Sequence, residues 1–194
     1  MDYYQHLINH ILESAPLDVF AQDMVRSSFK ITKLKRKEIL LFKGDVSYHM
    51  RYVAKGCLRN YNIDENAREH VLQFGIEGWW INDLYSYLTE TPATFFIQAL
   101  EDSIVLQISK IELEKLFKEV PALERFYRIK FENAYVALQN RTIHGMSKPI
   151  EERYSEFRTT YPEIEQRVPQ YMIASYLGIT PESLSRVRNR RKTI

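Results

Sequence analysis

The chain has 194 residues, 45% of them hydrophobic and 27% charged, with a net charge of +2. That is ordinary for a soluble globular protein able to bury the core of one domain or two small ones. Its single cysteine, Cys57, excludes a disulfide framework, a cysteine zinc site and a cysteine-held iron–sulfur cluster within one chain.

The small net charge conceals a gradient. Residues 1–108 hold 11 Lys+Arg against 14 Asp+Glu, and residues 109–194 hold 16 against 11. From Gln166 onward there are five Arg and one Lys against a single acid, Glu182. Positive charge gathered at one end is what a polyanion would use. The opening MDYYQHLINH has no basic start followed by an apolar run, so no signal peptide is expected. No stretch nears the roughly 18 apolar residues that span a bilayer. With the lone cysteine, this leads to the expectation of a cytoplasmic protein without a membrane partner.

Residues 3–29 read as helical, with Leu7, Ile8, Ile11 and Leu12 at helical spacing, a break at Pro16 and Asp18 as the cap of a second segment. From about Ile31 the period changes. ITKLK, EILLFKGD, MRYVAKGCLRNYNID, EHVLQFGIEGWWI and ATFFIQALEDSIVLQIS are short, rich in β-branched and aromatic residues, and separated by turn signals such as Lys43-Gly44-Asp45 and Lys55-Gly56. Strands at this spacing without long helices between them predict an antiparallel sandwich or roll. Asn82–Leu88 interrupts them as a single helical turn.

After Ile108 the helical period returns. Ser109 is placed to cap a short helix carrying Leu113, Leu116 and Phe117. A long helix runs from Pro121 to about Ile143, with Gly145 just past its end. In it Tyr127, Phe131, Ala134 and Leu138 alternate at spacings of four and three, a coiled-coil-like seam that predicts a homodimer. A second apolar face runs through Phe126, Ile129, Val136 and Ile143. Pro149 opens another helix to about Thr160, and Val168-Pro169 opens the last stretch, YMIASYLGITPESLSRVRNRR.

That stretch has the parts of a helix-turn-helix. Two helices crossing steeply need a small residue at the contact, here Ala174, and the turn needs a left-handed residue, here Gly178. Thr180 is a natural cap and Pro181 suits the first helical position. Burying Ile173, Leu177, Ile179, Leu184 and Val187 turns Pro181, Glu182, Ser185, Arg186 and Asn189 outward. Of these, Glu182, Ser185, Arg186 and Asn189 are the expected readers of base edges. Arg186 is suited to guanine O6 and N7, and Glu182 to a cytosine amino group. Tyr171, Thr180, Arg188, Arg190, Arg191 and Lys192 are the expected phosphate contacts. A helical hairpin that only completes a core, with a basic tail for solubility, is the plainer alternative.

The order of roll, long helix and helix-turn-helix resembles the Crp/Fnr family of bacterial transcription regulators along nearly the whole chain. The strongest matches are VPQYMIASYLGITPESLSRVR and WWINDLYSYLTETPATFFIQALEDSIVLQIS. The resemblance implies an α+β fold: an N-terminal antiparallel β-roll (a double-stranded β-helix or jelly roll) with flanking helices, a dimerisation helix and a C-terminal winged helix-turn-helix. It implies a division into a cyclic-nucleotide-binding-like sensor at 1–120, a dimerisation helix at 121–145 and a DNA-binding unit at 146–194. Thr160–Val168 is short for a hairpin wing, so a reduced wing is expected. The implied partners are double-stranded DNA as a near-palindrome, a second copy of the chain and RNA polymerase.

The family's nucleotide cassette pairs Gly-Glu with a downstream Arg-Ser. At matching spacing this chain has Asn82-Asp83 and Ala93-Thr94, so the cation that neutralises the cyclic phosphate is missing. A buried phosphate without a cationic partner is unfavourable. Weak or no cyclic-nucleotide binding is therefore expected, with no cofactor and an unidentified small-molecule effector left open. Trp79, Trp80, Tyr85, Tyr87, Phe95 and Phe96 are alternative pocket-lining residues for such an effector.

Catalysis is not expected. Among five histidines only His6 and His10 sit at helical i, i+4 spacing, and no third metal ligand accompanies them. There is no Gly-rich phosphate loop or Gly-x-Ser-x-Gly elbow. The competing functional reading is a sensor module, for a small molecule or cyclic nucleotide, that acts through protein contacts without DNA.

Overall fold

The computed structural model describes residues 2–191. Two short helices, α1 (Tyr3–Leu12) and α2 (Val19–Ser28), precede five strands, β1 (Lys30–Leu34), β2 (Ile39–Leu41), β3 (His49–Lys55), β4 (Leu58–Ile63) and β5 (Glu69–Gly75). A one-turn helix α3 (Leu84–Thr89) leads to β6 (Phe96–Ala99) and β7 (Ser103–Ser109). Helices α4 (Lys110–Glu119), α5 (Ala122–Ser147), α6 (Ile150–Thr160), α7 (Pro162–Arg167), α8 (Gln170–Tyr176) and α9 (Pro181–Arg191) follow. This is the expected α+β architecture.

Side-chain caps fix several boundaries. Asp18 accepts the Ala21 N–H at 2.7 Å, and Ser109 accepts the Glu112 N–H at 3.2 Å. The strands form two antiparallel sheets, one ordered β1-β7-β3 and the other β2-β6-β4-β5. Gly56 turns β3 into β4 at φ +100°, and a Cβ there would fall 2.2 Å from the Ser103 hydroxyl, so only glycine fits.

The period of two along β3 and β7 splits their side chains between two cores. Met50, Tyr52, Ala54, Leu106 and Ile108 face α1, α2, α4 and the start of α5. Val53 and Val105 face the other way, meeting Leu58, Ile81 and Ile97 between the sheets. A third core joins Tyr61, Val71, Phe74 and Ile76 of the second sheet and its flank to Tyr154, Phe157, Ile164, Ile173, Leu184 and Val187 of the C-terminal helices. The roll and the terminal helices thus share apolar packing.

Three features depart from the sequence reading. Helix α5 does not stop before Gly145 but continues to Ser147, because Lys148 precedes Pro149 and takes the extended backbone (φ −101°, ψ 142°) that a following proline imposes. Among the described residues no strand follows Ser109, and the segment expected to hold a reduced wing forms α7 instead. Finally, Tyr127 of the proposed seam is 4% exposed and packs in its own chain against Trp80 and Phe117, at ring separations of 5.1 and 5.3 Å.

Candidate nucleic-acid interface

Helices α8 and α9 meet through the turn at Gly178, whose φ of +67° lies in the left-handed region. The Ile179 N–H reaches back to the Ala174 carbonyl at 3.0 Å, closing the turn. Ala174 is fully buried at the crossing, as are Ile173, Leu184 and, nearly so, Val187, while Leu177 and Ile179 are partly buried. Burial of Leu184 and Val187 anchors α9 by about 1.5–3 kcal/mol each. Thr180 caps α9, its hydroxyl accepting the Ser183 N–H at 3.2 Å.

With that face buried, Pro181, Glu182, Ser185, Arg186 and Asn189 are all exposed. Arg186 donates to the Ser183 hydroxyl at 3.2 Å, which steadies the guanidinium at the middle of the helix. The carboxyl of Glu182 is held below its usual pKa by its own backbone N–H, then by the Thr180 hydroxyl and Arg186. It is an ionised hydrogen-bond acceptor at neutral pH. Tyr171 and Thr180 are exposed, and Arg188 is partly buried. Arg190 pairs loosely with Glu151 at 3.5 Å, both ends open to solvent. The Arg191 side chain and all of Lys192 lie outside the described residues.

Arg167 behaves differently from the rest of the basic tail. Its guanidinium donates to Glu77 at 2.7 Å and to Glu101 at 2.5 Å, bridging α7 to the roll. The two carboxylates hold it cationic but leave it unsuited to a phosphate. Ser175 makes a second tie: its hydroxyl accepts the Val71 N–H at 2.9 Å and donates to the Glu69 carbonyl at 2.8 Å, satisfying the free edge of β5. Neither residue is conspicuous in the sequence. Glu77 lies 90 residues from Arg167, and Val71 lies 104 from Ser175.

In the cassette the structure brings Asp83 and Thr94 together. The Asp83 carboxylate is 2% exposed, caps α3 through the Ser86 N–H at 3.0 Å, and accepts the N–H groups of Thr94 at 2.9 Å and Phe95 at 3.2 Å. Asn82 accepts the Arg51 N–H at 3.0 Å, and Ala93 is buried in the core between the sheets. Arg51 lies close by, with burial bringing its pKa down to about 10 against the pull of the Asp83 charge. Its guanidinium donates to Ser47, His49 and Gln107.

The aromatic residues do not converge on one pocket. Trp79 packs edge-on against Tyr161, Trp80 packs among Tyr52, Phe126 and Tyr127, Phe96 stacks on Tyr61, and Tyr85 is 62% exposed. His6 bonds the Tyr52 hydroxyl at 2.8 Å, and no group of metal-ligating side chains exists among the described residues.

The chain thus combines a two-sheet roll, a long helix and a glycine-turned helix pair whose second helix has a polar, exposed face. Residues 31–120 match the cyclic nucleotide-binding domain family. The chain is similar to the anaerobic regulatory protein of Haemophilus influenzae, 24% identical over 172 residues covering 81% of this chain and 65% of that protein. It is also similar to the fumarate and nitrate reduction regulatory protein of Vibrio cholerae, 27% identical over 162 residues, 77% of this chain and 64% of that one. The chain thus spans slightly less than two thirds of the length of these curated relatives. The c-di-GMP-responsive global regulator CLP of Xanthomonas campestris shares the fold, with a TM-score of 0.73 at 15% identity over 91% of this chain and 92% of the other. In sequence and in the order of its elements the chain is thus similar to regulators of this kind.

Proposed function

We propose that the chain is a sequence-specific DNA-binding transcriptional regulator that acts as a homodimer on near-palindromic sites. The observation that carries this reading is the division of α9: Leu184 and Val187 are buried in the shared core, while Glu182, Ser185, Arg186 and Asn189 stand on the open side. In this reading those four residues read base edges. Tyr171, Thr180, Arg188, Arg190, Arg191 and Lys192 bind phosphates and set the salt dependence.

Helix α5 supplies the dimer contact. Its residues 131–140 are exposed on every side, including Phe131, Tyr135, Val136 and Leu138. A bare helix with so many apolar side chains is satisfied by a second copy of itself, through Phe131, Ala134 and Leu138, with Tyr127 limited to bracing the seam from the core. Two-fold symmetry then sets the half-sites about one helical turn of DNA apart.

The division at 1–120, 121–145 and 146–194 follows from this assignment, as do RNA polymerase as a further partner, a cytoplasmic location and the absence of catalysis. The roll senses something other than a cyclic nucleotide. Selection of bound fragments from a random DNA pool tests the whole reading. A two-fold-symmetric motif is expected, and enrichment of nothing would favour a sensor that works through protein contacts.

A further inference from the structure

A cleft of about 740 Å³ lies between β5 of the roll, the last turns of α5, and helices α6 and α8. Its size falls in the range of small-molecule sites, roughly 300–1,000 Å³. Its walls combine two kinds of surface. Phe157, Tyr161 and Tyr176 form an aromatic side, their rings in contact with one another: Phe157 lies 5.6 Å from Tyr161 and 5.5 Å from Tyr176. Arg141 and Arg153 form a cationic side.

Both arginines are held by backbone carbonyls. Arg153 donates through Nη1 to the Leu177 carbonyl at 2.8 Å, and its Nε is buried with no hydrogen-bond partner. Arg141 donates to the Leu72 carbonyl, and its guanidinium lies over the Tyr176 ring at 4.7 Å. The acid on this lining, Glu156, is engaged by Lys148 and by His144 at 3.1 Å. Two guanidinium groups, each anchored by a backbone carbonyl, thus border an aromatic cleft. Two guanidinium groups on one border suit an anionic acceptor that takes hydrogen bonds from both.

We propose that this cleft binds a small aromatic carboxylate, its carboxylate on Arg153 and Arg141 and its ring against Tyr161 and Tyr176. Leu177, whose carbonyl accepts from Arg153, is the C-cap residue of α8, one residue before the Gly178 turn. An occupant therefore ties the roll edge and α5 to the turn that sets α9. Its use as an effector rests on the DNA-binding reading; its binding does not.

Gly145 provides a clean block. A Cβ there would meet only the Arg153 Nη1, at 3.9 Å, so Gly145→Leu fills the cleft while replacing a poor helix former inside α5 with a good one. The full chain, without DNA, is titrated with benzoate, salicylate and 4-hydroxyphenylacetate, with benzamide and inorganic phosphate as controls. Thermal shift is one readout. Fluorescence of Trp79 is the other, since its ring lies 5.5 Å from Tyr161. The expected result is a saturable response to at least one aromatic carboxylate. It should be weakened on the order of tenfold or more by Gly145→Leu and by Arg153→Gln, both folded by circular dichroism. Benzamide should give none, and phosphate should bind more weakly. A flat response to all three carboxylates, an unimpaired Gly145→Leu, or phosphate binding as tightly would overturn the proposal. None of these results bears on whether the chain binds DNA.

Discussion

The Asp83 carboxylate accepts the backbone N–H of Thr94 at 2.9 Å, eleven residues away across the α3 loop. The same carboxylate takes the Phe95 N–H at 3.2 Å and caps α3. A negative charge built into the chain therefore already occupies the N–H groups at the start of β6, and Ala93 next to them supplies no cation. An incoming phosphate would displace that carboxylate or sit against it, and neither is favourable. Calorimetric titration with cyclic AMP should give little heat. Micromolar binding would show that the cassette accepts a nucleotide despite Ala93.

Arg186 is the side chain on α9 best suited to a bidentate contact with guanine. Arg186→Ala should relax base preference and weaken binding to the selected site by about 1–3 kcal/mol. The measurement is affinity for the selected sequence against single-base variants of it. Unchanged preference would remove Arg186 from the reading set.

In the proposed reading the tail arginines contact phosphates and act without regard to sequence. Replacing Arg190 and Arg191 together by alanine should weaken binding to all duplexes alike and flatten the slope of log affinity against log salt by about two. The Arg190–Glu151 pair is too exposed to compete strongly with a phosphate. An unaltered slope would exclude both residues from the phosphate contacts.

Leu138 is 50% exposed on the bare part of α5. Leu138→Glu puts a charge into the proposed seam and, if that seam forms the dimer, should shift the protein from dimer to monomer in sedimentation equilibrium. Its far-ultraviolet circular dichroism should stay near that of the parent, because the side chain is absent from the monomer core. A dimer that survives the substitution must form through another surface.

The tie between Arg167 and Glu77 predicts an acid-sensitive seam. Burial alone would raise the Glu77 pKa, but the hydrogen bonds from Arg167 and the Gly56 N–H outweigh it and hold the carboxyl below its ordinary 4.5. A carboxyl depressed in the folded state contributes stability above its unfolded pKa, and that contribution is lost as pH falls through the folded value. Thermal stability should therefore drop as pH falls below about 4.5, and Glu77→Gln should make this acid limb shallower. Superimposable acid limbs for variant and parent would count against the tie.

Local chemistry made much of the fold legible. Asp18, Ser109 and Thr180 are caps because a short side-chain oxygen reaches an N–H three residues on, whatever the rest of the chain does. The change from period two to period 3.6 after Ile108 separates roll from helices for the same reason. Gly145 misled because a glycine reads as a stop only when nothing stronger lies beyond it, and Pro149 does.

By itself, then, the sequence determined the roll's strand segments, most of the helices, the caps at Asp18, Ser109 and Thr180 and the glycine turn, because those features are set by interactions within a few residues. It did not determine α7 or the end of α5. It also determined which face of α9 is polar, since Leu184 and Val187 fix that spacing. Only the tertiary structure decided what long-range packing controls: that Arg167 grips the roll through Glu77 and Glu101, that Ser175 closes the edge of β5, and that Tyr127 belongs to the core. These contacts join residues tens of positions apart. Their partners are chosen by where the two sheets and the terminal helices come to rest, which no local pattern encodes.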